Sequence, residues 1–126
     1  MSFYDWGNIP VKSTQGLATN PTTSVLVAEL VSSEFGTNLA NRDINYRVTW
    51  IVGASTAASF RLERCLSSGV GSTAIREQLI VFTALNQSAQ YVSNYRLTYG
   101  DRLRVRVDPA LASANAAAKI EAEPIT

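Results

Sequence analysis

The segment "YGDRLRVRVDP" (residues 99–109) carries the clearest structural signal in the chain. Arg102, Arg104 and Arg106 alternate with Leu103, Val105 and Val107. A period of two belongs to a strand with one wet face and one dry face. On such a strand the three guanidinium groups point the same way, about 6.6–6.8 Å apart. Asp101 and Gly100 precede the run as turn residues, and Asp108-Pro109 ends it.

The same alternation recurs on both sides of this segment. In "INYRVTWIVG" (44–53), Tyr46, Val48, Trp50 and Val52 share one face, while Asn45, Arg47, Thr49 and Ile51 share the other. "FRLERCL" (60–66) sets Phe60 and Leu62 against Arg61, Glu63 and Cys65. "YVSNYRLTY" (91–99) keeps Tyr91, Ser93, Tyr95 and Leu97 in phase. "AAKIEAE" (117–123) places Ala118, Ile120 and Ala122 inward, with Lys119, Glu121 and Glu123 outward. "SVLVAELVSS" (24–33) and the run from about residue 77 in "AIREQLIVFTAL" read as strands because they are short and rich in β-branched residues. "DPALASANAAAK" has a helix-start pattern, but its small face buries little, so a loop or a single turn is expected.

About eight short strands with loop residues between them, and no regular amphipathic helices, predict an all-β chain. The expected architecture is an antiparallel β-sandwich, or jelly roll, spanning 23–126 as one domain. Residues 1–22 contain Gly7, Pro10, Gly16 and Pro21 and no sustained period, so they read as an extended N-terminal arm. Phe3, Tyr4 and Trp6 lie together in that arm. Exposed aromatics there call for a cover, either the chain's own domain or a neighbour.

Composition narrows the function. The 126 residues carry a net charge of +1, 46% hydrophobic residues, one cysteine and no histidine. The commonest general base and metal ligand is therefore missing, and Cys65 has no partner for an internal disulfide. No nucleophile elbow, phosphate loop or calcium loop is present, so no enzyme, cofactor or metal site is expected. No apolar run is long enough for a membrane span. The N-terminus has an acid and aromatics where a secretory signal has basic residues, so a cytoplasmic origin is expected. Nine arginines against two lysines suit carboxylate forks at protein contacts. Three readings of the arginine row follow: a solvated face paired to Glu121 and Glu123, a subunit interface, or a phosphate-binding stripe. The near-neutral chain disfavours the last, so no direct nucleic-acid contact is expected.

The series "YRVTWIVGASTAASFRLER", "NQSAQYVSNYRLTYGDRLRVRV" and "AAAKIEAEPI" resembles small jelly-roll decoration, or cement, proteins on the heads of tailed bacteriophages. The pattern Tyr95-Xaa-Leu97-Xaa-Xaa-Gly100-Asp101-Xaa-Leu103-Xaa-Val105 is also similar to trimeric tumour-necrosis-factor-like and C1q-like jelly rolls. The resemblance covers about residues 44–125, leaves the arm outside, and includes no catalytic motif. It implies a homotrimer on the outer capsid surface of a virion, made in the host cytoplasm, that bridges major capsid protein subunits. Phe3, Tyr4 and Trp6 are then expected at the capsid or a neighbouring copy, and Arg102, Arg104 and Arg106 at the subunit interface. The alternative function is a carbohydrate-binding or host-attachment module, with Trp50, Trp6 and the tyrosines stacking on sugars, although the phase of Trp50 places it in the core.

Overall fold

A computed structural model describes residues 12–19, 21, 23–31, 44–65, 74–97, 101–109 and 115–125. Eight strands run through them: β1 (Lys12–Ala18), β2 (Val25–Val31), β3 (Ile44–Ala54), β4 (Ala58–Cys65), β5 (Ala74–Phe82), β6 (Gln87–Leu97), β7 (Arg102–Pro109) and β8 (Ala116–Pro124). They form two four-stranded sheets, ordered β1-β8-β3-β6 and β2-β7-β4-β5, and every pairing is antiparallel.

The pairing follows one rule. β4 pairs with β5, β3 with β6, β2 with β7 and β1 with β8, as in one long hairpin doubled back on itself. Rolling that hairpin brings β8 beside β3 and β7 beside β4, which completes the two sheets. This is the jelly-roll β-sandwich that the alternating sequence predicts.

Burial follows the period of two. Leu103, Val105 and Val107 of β7 are fully buried, as are Tyr46, Val48, Trp50 and Val52 of β3 and Phe60 and Leu62 of β4. Ile120 and Ala122 of β8 and Leu97 of β6 complete the filling between the sheets. An edge-to-face ring pair braces neighbouring strands on the inner side of each sheet: Trp50 of β3 with Tyr95 of β6, 6.3 Å between centroids, and Phe60 of β4 with Phe82 of β5 at 5.5 Å. Arg64 also turns inward, its guanidinium 5.2 Å from the centre of the Tyr95 ring and 3.1 Å from Glu77. A bulge in β2 between Leu26 and Ala28 lets Val27 and Ala28 both be buried.

The sheet begins earlier than the sequence suggests. Lys12–Ala18 lies within the expected arm, yet it pairs along its length with β8. The inward positions of β1 are small (Thr14, Gly16, Ala18), because β2 passes close beneath them. A Cβ on Gly16 would sit 1.8 Å from the Val27 carbonyl oxygen. Glycine is therefore the residue that lets the two sheet edges meet on this side. Residues 1–11, with Phe3, Tyr4 and Trp6, lie outside the described residues. The helix-start pattern at Asp108 is not used as such: β7 runs through Pro109.

Two outcomes follow. Gly16→Ala forces β1 and β2 apart, and its urea midpoint is expected to fall by the equivalent of about 2–3 kcal/mol, in the range of backbone-strain and overpacking mutations. Burial pushes the Tyr46 phenol up to about 12. An unfolded tyrosine ionises near 10, so this contribution is intact below about pH 10 and is lost between about 10 and 12, about 2–3 kcal/mol in all. Urea unfolding at successive pH values reads this loss, and Tyr46→Phe should flatten the decline. A flat wild-type profile from pH 10 to 12 contradicts it.

Candidate functional site

Each sheet presents one outer face to its surroundings, and the two faces differ in chemistry. On the β2-β7-β4-β5 sheet, β7 is central, with β2 on one side and β4 on the other. The register sets Arg104 between Glu29 and Glu63, Arg102 between Val31 and Cys65, and Arg106 between Leu26 and Arg61.

The geometry answers the question raised by the arginine row. Arg104 donates its Nε–H to Glu63 at 2.7 Å, and Arg102 lies 3.9 Å from Glu29. Arg61 joins the group with a two-pronged contact to Asp108 at 2.9 and 3.2 Å and a donated hydrogen bond to the Ser24 hydroxyl at 2.6 Å. Arg61 also lies 3.7 Å from the second oxygen of Glu63. The hydrogen bond to Glu63 holds the Arg104 guanidinium above its ordinary range, against the burial that lowers it. Three guanidinium groups, those of Arg61, Arg102 and Arg104, thus share the carboxylates of Glu29, Glu63 and Asp108, and Arg106 has no ion pair among the described residues.

The expected partners Glu121 and Glu123 are not the ones used. Both lie on β8, in the opposite sheet. Glu123 binds Arg47 at 2.7 Å, and Glu121 lies 3.8 Å from Lys119. Nested pairing places β7 beside β2 and β4, so the acids that matter are Glu29 and Glu63. Cys65 lies next to Arg102 in register but is buried. Burial pushes its thiol up, and the nearby Arg104 and Arg102 pull it back only in part. Among the described residues no cluster of acids or Cys65 is arranged to hold a metal.

The outer face of the β1-β8-β3-β6 sheet is different. Its rows run across the strands: Leu17–Ala117–Gly53–Ser88, then Gln15–Lys119–Ile51–Gln90, then Ser13–Glu121–Thr49–Val92. The first row has almost no side-chain bulk at its centre. The result is an open furrow of ≈ 610 Å³ walled by Leu17, Ile51 and Lys119 and floored by Gly53 and Ala117. It continues toward the turns at Ser55 and Asn86. Those turns are fixed by hydrogen bonds: the Ser55 amide donates to the Asn115 carbonyl and the Asn115 amide to the Ser55 hydroxyl, each at 2.9 Å, and the Thr83 and Ala84 amides donate to the Gln87 side chain at 3.0 and 2.9 Å. Leu17 is 79% exposed, Ile51 40% and Val92 46%, so an apolar diagonal crosses this sheet. The sequence reading missed the furrow, because its signal is a glycine inside an alternating run.

The aromatics expected to stack on sugars are placed differently. Trp50, Tyr46 and Tyr95 are buried between the sheets, and Tyr91 points the same way and is half-buried. The core position expected for Trp50 is the one it has.

No family model matches the chain, and no curated protein matches it. Solved structures do. The xylan-binding CBM22-1 domain from Paenibacillus barcinonensis Xyn10C is 10% identical over 94% of each chain, with a TM-score of 0.56. Murine APRIL is 7% identical over 90% of this chain and 99% of its own, with a TM-score of 0.53. The globular domain of zebrafish complement 1qA is 9% identical over 88% and 94%, with a TM-score of 0.52.

The Arg104–Glu63 contact gives a direct test. Glu63→Ala leaves a half-buried guanidinium facing only the more distant Glu29, and the loss expected is about 3 kcal/mol by urea unfolding. Glu63→Gln, which keeps an acceptor, should lose about half as much. Equal stability of all three proteins would show that the pair contributes nothing. At identities of about one in ten, what these solved proteins share with this chain is the jelly-roll β-sandwich itself.

Proposed function

We propose that this chain is a structural assembly module, not an enzyme: a homotrimer that binds the outer surface of a phage head and bridges major capsid protein subunits. The observation that carries the assembly reading is the apolar surface left on both outer faces. Leu17, Ile51 and Val92 are exposed on one sheet, and Leu26, Leu79 and Val81 on the other. Apolar side chains on two opposite faces suit a protomer covered on both sides, as in a closed ring of copies or a copy lodged on a shell.

The capsid partner is supported by the sequence resemblance to phage decoration proteins, and the threefold state by the resemblance to trimeric jelly rolls. The physics of such a role is simple. A protein that binds only the assembled shell adds its binding free energy to that state, and three linked copies multiply the effect through avidity. In the arginine row, Arg102 and Arg104 have carboxylates within their own chain, so Arg106 is the member proposed to meet a carboxylate across the subunit seam.

A carbohydrate-binding role is the second reading, and the open furrow across the sheet is the observation that favours it. The furrow has no aromatic side chain among its described walls, and a sugar ring usually stacks on one. Leucine and isoleucine walls suit protein better.

Native mass spectrometry tests the assembly reading: the expected species has three times the 13.6 kDa of the chain. Arg106→Glu is expected to weaken that species at least tenfold in dissociation constant. A protein that stays monomeric at high micromolar concentration, and does not sediment with phage heads, overturns it.

A further inference from the structure

Two glycines on neighbouring strands of one sheet ask for different explanations. Gly16 is required by the fold, because any Cβ there strikes the backbone of β2. Gly53 is not. A Cβ on Gly53 would lie 3.5 Å from the Gln87 carbonyl oxygen and 3.7 Å from the Ser88 Cβ, both ordinary contacts. Glycine weakens a strand interior by entropy and by the packing it forgoes. In β3, an eleven-residue strand with two paired neighbours, the fold gains nothing from Gly53. What Gly53 does, with Ala117 beside it, is keep the furrow floor open. A strand glycine of this kind marks a place where another chain comes close.

The rest of the furrow describes that chain. Its walls are Leu17 and Ile51, so the occupant is apolar, and a floor of Gly53 and Ala117 leaves depth for a bulky ring. Among the described residues Lys119 is the one charged group on its walls, with a 3.8 Å contact to Glu121 as its ion pair. The sequence contains a segment with matching chemistry. Phe3, Tyr4 and Trp6 flank Asp5, the single acid among residues 1–11. These eleven residues precede β1 and span at most about 36–40 Å when extended.

We infer that the furrow over Gly53 is the seat of the N-terminal segment, residues 1–11, of a neighbouring copy. Tyr4 and Trp6, which project to one side of an extended chain, fill the gap above Gly53 and Ala117, and Asp5 meets Lys119 at the rim. Donation between copies follows from where β1 starts. Lys12 lies at the end of β1 away from the furrow, with Leu17 at the near end. A segment that continues the line of β1 backward from Lys12 leads away from its own copy's furrow and toward a neighbour. A copy that gives its segment to the next and receives one from the last closes a ring. This inference rests on the homotrimer reading and names the contact that holds it.

The test uses the full-length chain carrying p-benzoylphenylalanine in place of Tyr4. Proteins labelled with ¹⁴N and ¹⁵N are unfolded, mixed, refolded together and irradiated, and the cross-linked peptides are sequenced. The expected cross-links join position 4 to peptides containing Leu17, Gly53 or Ala117, and mixed-isotope pairs are prominent. Gly53→Leu, which fills the furrow, should cut their yield at least tenfold without lowering the melting temperature; Ala117→Leu is a second plug from the adjacent strand. A trimeric mass with cross-links elsewhere, or none, overturns the furrow assignment and leaves the trimer standing. Furrow cross-links confined to same-isotope pairs overturn donation between copies. A monomeric mass overturns the homotrimer reading itself.

Discussion

β7 has to satisfy two environments at once, and the architecture depends on how it does so. Its inner residues, Leu103, Val105 and Val107, are sealed against the opposite sheet. Its outer residues, Arg102, Arg104 and Arg106, stand in a row of like charge. A central strand cannot turn such a row away from its neighbours, so those neighbours must neutralise it. β2 supplies Glu29 and β4 supplies Glu63 at the register positions that flank Arg104. The hydrogen-bonded ladder and the charge pairing therefore specify the same register. A slip of one residue would bury the arginines and expose the valines together.

This arrangement leaves the surface uneven in an informative way. The charged sheet is almost self-sufficient, with only Arg106 left over among the described residues. The opposite sheet carries few charges at the furrow and keeps it open with Gly53. The charged face thus satisfies most of its polar groups internally, while apolar side chains stay exposed on both faces, Leu26, Leu79 and Val81 on the charged one and Leu17, Ile51 and Val92 on the other. Sheet faces of these two kinds suit a protomer with further contacts to make through its outer surfaces, which is what the proposed assembly role requires.

Much of the fold was legible because β3, β6, β7 and β8 alternate cleanly and their inner residues are the ones buried; β4 departs from this at its end, where Glu63 and Cys65 are buried on the outer face beneath the arginines. β1 was not legible. "KSTQGLA" lacks apolar alternation, since its inner side must be small to admit β2, and its strand character comes from β8 rather than from itself. The partners of the arginines were missed for a related reason. Glu121 and Glu123 are near in sequence, but nested pairing carries β8 to the other sheet. The furrow was hidden because Gly53 looks like the start of a loop in sequence, whereas β3 continues through it to Ala54.

A density map of the assembled protein at side-chain resolution tests the central claim most directly. The account predicts three copies about one axis, with aromatic density from a neighbour's first residues lying over Gly53 and Ala117. A symmetric trimer whose furrow holds only solvent, or a particle with a single unassociated copy, would contradict it.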